Sequence, residues 1–152
     1  MNIEEVIKRI NFDETFSNIY LIPYKEINRQ KTTHGKVCKF MEWFFNYLGL
    51  FEYTDTKVKV GNRKGVVDLA IRLNGKRIGI EIEDGNQNVK WSVEKLKTFD
   101  AGIVVALNKK VWEKYLNYLV GRNVLEKILA HSRKVNTFPS RFKITLLPLF
   151  LR

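Results

Sequence analysis

The dipeptide Asn74-Gly75, set between two runs of alternating hydrophobicity, limits the possible folds of this chain more than any other feature. Both positions tolerate positive φ, so the pair reads as the two-residue turn of a β-hairpin joining strands Val66–Leu73 and Lys76–Glu83. A two-residue loop also fixes register. Leu73 faces Lys76, which puts Asp68 opposite Glu81 and Val66 opposite Glu83. One face of the hairpin then carries Val67, Leu69, Ile71, Ile78, Ile80 and Ile82; it is purely aliphatic and must be core. The other carries Val66, Asp68, Ala70 and Arg72 with Arg77, Gly79, Glu81 and Glu83.

The flanking sequence supplies the rest of an α/β pattern. Ile3, Val6, Ile7 and Ile10 have helical spacing, and Asn28 to Lys36 reads as a loop. Val37, Phe40, Met41, Phe44, Phe45 and Leu48 form one continuous helical stripe, with Gly49 as a stop. Lysines and valines alternate in Thr56–Val60, a strand with one wet face, and residues 61–65 read as a basic loop. Val89–Phe99 reads as a helix with Val89, Val93 and Leu96 inward. The unbroken apolar run 102–107 is a strand covered on both faces. A helix carrying Val111, Trp112, Tyr115, Leu116 and Leu119 follows. Asn123 then caps a last helix with Val124, Leu125, Ile128 and Leu129, and Phe142–Leu147 is a closing strand whose Pro148 marks an edge or a terminus. The expectation is one α/β domain, a mixed central β-sheet flanked by helices. Residues 1–33 form a helical extension, 34–107 the core, and 108–152 the C-terminal helices and strand.

With 152 residues, 27 of them Lys or Arg against 16 Asp or Glu, the chain carries a net charge of +11. Such a balance points to a polyanionic partner, nucleic acid before a membrane surface, unless the charge serves solubility alone. No apolar run approaches the roughly 20 residues of a transmembrane helix, and no helix is basic with a bulky apolar face, so a membrane role is not expected. The N-terminus is unlike a signal peptide. Cys38 is the one cysteine, which excludes an internal disulfide and a cysteine-based zinc site. His34 and His131 are far apart and flank no second ligand. A reducing, intracellular compartment is expected.

Within this basic chain the acids of the hairpin stand out. In the fixed register the Asp68 and Glu81 Cβ atoms lie only about 5 Å apart, and like charges directly opposite destabilise a sheet unless neutralised. A shared proton, a basic neighbour or a divalent cation would do so. Carboxylates at this spacing suit Mg²⁺ or Mn²⁺, which can activate water and neutralise charge on a phosphate in transfer. Gly79 leaves room on this face for a substrate backbone. The same pattern also describes a solvated hairpin face, and Arg72 faces Arg77 there.

Asp68, the turn, and Glu81-Ile82-Glu83 at the end of the next strand resemble the core of the PD-(D/E)xK nuclease superfamily, which includes restriction endonucleases and archaeal Holliday-junction resolvases. The helix from Val89 and the buried strand Ile103–Ala106 resemble the αβ unit that follows the hairpin in that group, and the likeness spans about residues 36–107. It implies that Asp68 and Glu81 are metal ligands, with the Ile82 carbonyl assisting and Glu83 adjusting metal or water. Val67 stands where a proline is common, and Glu83 stands where the motif lysine is expected. Some members supply that lysine from the next helix, where Lys95, or second Lys90, would serve, with Ser92 one turn from Lys95; both lysines also fit an ordinary solvated helix face. Lys57, Lys59, Arg63 and Lys64 would hold a phosphate backbone, with Asn62 and the Asn86-Gln87-Asn88 loop near sugar or base edges, and Trp91 able to stack on a base. The expected activity is metal-dependent hydrolysis of DNA, and a homodimer would suit a resolvase. The alternatives are a catalytically silent DNA-binding module on the same fold and an assembly protein that contacts a polyanion.

Overall fold

A computed structural model describes residues 29–122, 125–128 and 142–148. The N-terminal helix expected near residues 2–10, His131, and the cap expected at Asn123 lie outside the described residues. Helix α1 (Thr33–Tyr47) leads into a meander of β1 (Phe51–Val60), β2 (Arg63–Leu73) and β3 (Lys76–Glu83). Helix α2 (Val89–Leu96), β4 (Ala101–Ala106), α3 (Lys109–Gly121), β5 (Leu125–Ile128) and β6 (Ile144–Pro148) follow. The six strands form one mixed sheet in the order β1-β2-β3-β4-β6-β5. The meander is antiparallel, and β3, β4, β6 and β5 run parallel.

The hairpin has the expected register: Leu73 pairs with Lys76, and pairing runs back to Leu69 with Ile80. Asn74 (φ +52°) and Gly75 (φ +78°) make the turn, both in the left-handed region that the two-residue connection requires. Each face of the sheet builds its own core. On one side α1 buries Val37, Phe40, Met41, Phe44 and Phe45 against Leu69, Ile71, Ile78, Ile80, Ile82, Ile103 and Val105. On the other, α2 and α3 bury Val89, Val93, Leu96, Val111, Trp112, Tyr115 and Leu119 against Ala70, Val104, Ala106, Ile144 and Leu146. The face that holds the acids is therefore covered rather than solvated.

Several boundaries differ from the sequence reading. Helix α1 begins inside the expected 28–36 loop, because the Thr32 hydroxyl accepts the Gly35 amide at 3.0 Å and caps the first turn. Only Gly61 and Asn62 make the turn before β2; Arg63, Lys64 and Gly65 already pair with β1. Val67 joins the α2/α3 core with Ala70 instead of the aliphatic face with Leu69 and Ile71. The alternation slips opposite an irregular residue of β1. The pairs Thr54–Leu69 and Thr56–Val67 bracket Asp55 and Asp68, and Asp55 has φ +45°. Leu125–Ile128 is a strand, not the expected helix. Its backbone pairs with β6 from Leu125–Ile144 to Ile128–Leu146, and a sheet edge offering partners outweighs the helical spacing of a short apolar run. Strand β6 is interior, between β4 and β5, and Pro148 is its last residue, so the proline marks a terminus and not an edge.

Candidate functional site

The site lies where the β2–β3 ladder stops. Beyond Leu69–Ile80, side chains take over from the backbone: the Asp68 amide donates to Glu81 Oε1 at 3.1 Å, and the Ile82 amide donates to Asp68 Oδ2 at 2.8 Å. Each acid thus holds the other's strand, and the two carboxylates come to one corner as the register requires.

Glu81 and Glu83 are each only 1% exposed, and the lysine that answers Glu81 is Lys95, 2% exposed. From the last turn of α2, Lys95 Nζ reaches Glu81 Oε2 at 3.2 Å, the Val66 carbonyl at 2.7 Å and Gln87 Oε1 at 3.1 Å. Its stem passes over Gly65. A Cβ there would come within 2.8 Å of Lys95 Cδ and of the Trp91 ring, so a larger residue would deny the lysine its route. Ser92, on the same helix face, donates to Glu83 Oε1 at 2.8 Å. Tyr115 on α3 is buried with its hydroxyl near this pair, and among the described residues no group meets it at hydrogen-bonding geometry. Burial pushes the Glu81 carboxyl up to about 9, helped by the Asp68 charge and opposed by Lys95. Burial likewise raises Glu83, with the Ser92 hydrogen bond pulling it back, and raises Tyr115. Of the three remedies for crowded acids, a basic neighbour is in place, and burial favours a second, a proton.

Asp68 is the accessible member, its side chain 18% exposed. His34 Nε2, in the first turn of α1, lies 3.3 Å from Asp68 Oδ2, and Cys38 Sγ lies 3.8 Å from His34 Nδ1. The Asp68 hydrogen bond first, and Cys38 second, raise His34 to about 11. Burial raises the Cys38 thiol. The expectation that His34 has no company is corrected here. Its signal in the sequence was the His34/Cys38 spacing of four, which places both on one helix face once the helix is known to start at Thr33.

The remaining residues singled out from sequence divide. Lys90 is exposed and lines a shallow groove with Arg63, Asn88, Trp91 and Glu94, away from the acids. Lys57, Lys59 and Lys64 border a second open groove along β1 and β2, so the basic residues do share one surface. The Arg63 guanidinium sits 3.7 Å over the half-buried Trp91 ring and already stacks on it. Gln87 turns its carbonyl inward to Lys95 and Ser92, Asn88 caps α2 through the Trp91 amide, and Asn86 bonds to Asp84. Gly79 gives no room to a substrate: a Cβ there would meet Phe99 at 2.7 Å, because α2 and its following turn pack directly on it. Arg72 and Arg77 are not left opposed, since Glu52 pairs with both, at 3.0 and 2.9 Å.

Fold and site together define an α/β protein with a buried acid–lysine cluster opening onto a partly exposed aspartate. Neither family models, nor curated proteins, nor solved structures give a match to this chain. Among the described residues, no helix is long and apolar enough to cross a membrane.

Proposed function

We propose that this chain is a metal-dependent phosphodiesterase acting on DNA, a variant of the PD-(D/E)xK arrangement in which the lysine comes from the helix after the hairpin. The observation that carries this reading is Lys95. It is buried, it comes from α2, and its ammonium lies 3.2 Å from Glu81 in the corner that Asp68 shares. An ion pair desolvated this fully costs stability more readily than it adds it, so a role other than holding the fold accounts for it best.

The donor set fits Mg²⁺ or Mn²⁺: the Asp68 and Glu81 carboxylates are hard oxygen ligands, and the Glu81 carboxyl, held up by burial, has a proton to give up to a cation. A bound divalent ion would activate water and neutralise charge on the phosphate. Asp68 and Glu81 would hold it, Lys95 would stabilise developing negative charge, and Glu83, fixed by Ser92, would set the orientation of Glu81. Lys57, Lys59, Arg63 and Lys64 would track the DNA backbone by charge, without reading sequence.

A second reading has its own support. The Asp68–His34 pair satisfies the accessible carboxylate without any cation, as a catalytically silent DNA-binding module would. Cleavage of labelled linear, single-stranded, flapped and four-way DNA in Mg²⁺, Mn²⁺ or EDTA separates the two. The nuclease reading expects metal-dependent cutting that Asp68→Ala lowers by about 10²-fold or more. Salt-sensitive binding with no cutting by the wild-type protein would replace it with the silent module.

A further inference from the structure

Three ligand-bearing side chains meet at the outer edge of the acid corner, and only one of them belongs to the cluster described above. His34 and Cys38 stand one turn apart on α1, and Asp68 comes from β2. One ligand atom from each lies within 4.8 Å of the others. The separations approach those of a coordination shell. Around a tetrahedral ion at ordinary bond lengths, nitrogen and oxygen ligands stand about 3.4 Å apart, and nitrogen and sulfur about 3.6 Å. Here His34 Nε2 to Asp68 Oδ2 is 3.3 Å, and Cys38 Sγ stands 3.8 Å from His34 Nδ1 and 3.9 Å from Nε2, beside the ring, so the imidazole must turn to share an ion with the sulfur.

The chemistry of the set selects the ion. Mg²⁺ takes oxygen ligands in an octahedron and has little use for sulfur. A thiolate, an imidazole and one carboxylate suit a borderline transition ion of the Zn²⁺ and Co²⁺ kind. Three protein ligands leave a fourth position, and with the His34 and Asp68 side chains 33% and 18% exposed, that position faces solvent. Two of the ligands are held in place before any ion arrives: the Thr32 cap fixes the first turn of α1, and the Ile82 amide anchors Asp68 Oδ2.

One cysteine cannot build a zinc site from thiolates alone, but a histidine and an aspartate stand beside it, and we propose that His34, Cys38 and Asp68 form an open, three-ligand site for a Zn²⁺-class transition ion. The inference does not depend on the nuclease reading, although Asp68 belongs to both.

Cobalt is the probe, because a cysteine ligand shows itself directly in its spectrum. Titration of the full chain with Co²⁺ alone should saturate at one ion and develop a thiolate-to-cobalt charge-transfer band. Zn²⁺ should displace the cobalt, and Mg²⁺ in large excess should not. Cys38→Ser should abolish the band and weaken Zn²⁺ binding by more than about tenfold, a loss that follows even when a ligand merely loses its hydrogen-bond partner. His34→Gln should weaken binding similarly, with circular dichroism confirming that each variant folds. Cobalt binding without the thiolate band, or equal Zn²⁺ affinity in wild type and Cys38→Ser, would overturn the proposal, and the wild-type spectrum decides even if a variant fails to fold. A thiolate band together with no cleavage of any DNA would leave this site standing and remove the nuclease reading. Mg²⁺-dependent cleavage with no thiolate band would do the reverse.

Discussion

At the turn end of the β2–β3 hairpin, Glu52 bridges Arg72 and Arg77, whose side chains are 56% and 38% exposed. At the open end, Glu81 pairs with Lys95 at a similar distance, but the two are 1% and 2% exposed. The groups are alike and the surroundings are not. In water such a pair is worth little, since solvent already stabilises each charge. Under α2 the same pair has lost its hydration and depends on every remaining hydrogen bond. One end of the hairpin can therefore be edited freely, and the other cannot. Among the described residues, acids and lysines are fully buried only in the cluster beside Asp68.

The largest effect should come from Lys95→Ala. It leaves Glu81 Oε2, the Val66 carbonyl and Gln87 Oε1 buried without their donor and opens a cavity under α2, and chemical denaturation should show a loss of about 3–5 kcal/mol at neutral pH. Pairing it with Glu81→Leu should recover part of that loss, because the penalty lies in buried acceptors left without a donor. Without recovery, the contrast between the two ends would fail.

Gly65→Ala ranks next. Its Cβ would press on Lys95 Cδ and Trp91 at 2.8 Å, and neither can retreat without breaking the Lys95 contacts or the Arg63 stack. A loss of about 1–3 kcal/mol is expected from such overpacking, read from the urea midpoint.

The pH profile sharpens the comparison further. Glu81 keeps its proton in the fold up to about 9 and loses it near the ordinary carboxylate value when unfolded. The native state therefore binds more protons across that interval, and stability falls as pH rises through it. His34 acts in the same direction at higher pH. Its contribution is complete below about 6.5, the unfolded value, and is lost as pH rises to its folded value of about 11. Metal-free protein should thus have a urea midpoint that declines from pH 5 upward. Glu81→Gln should flatten the decline between about 5 and 9, and His34→Gln the part above about 6.5. A flat wild-type profile would show that neither group is perturbed as its surroundings require.

The smallest effect belongs to the turn end. Glu52→Gln removes the bridge between two arginines directly opposite each other, yet the cost in denaturation should stay below about 1 kcal/mol and shrink in salt.

Much of this molecule is written locally. The Asn74-Gly75 turn alone set the register that brings Asp68 and Glu81 together, because a period of two leaves no freedom once the loop is fixed. The stripe from Val37 to Leu48 gave α1, and the inward positions of α2 followed from Val89, Val93 and Leu96, all buried. Helix spacing was enough to put Ser92 and Lys95 on one face, which is where they meet Glu83 and Glu81.

Other features depended on what packs against what. Residues 125–128 have the apolar spacing of a helix, but an open edge on β6 makes them a strand. Gly79 looked like space for a ligand until Phe99 filled it. His34 and Cys38 looked solitary, because their partner Asp68 lies 34 residues from His34 along the chain. Sequence determined the hairpin, the helices and the list of acids, since turn chemistry and periodicity act over a few residues. Tertiary structure decided which acids are buried, which lysine reaches them and which side chains stand beside Asp68. Those outcomes depend on solvent exclusion and on distances across the fold, which no local pattern encodes.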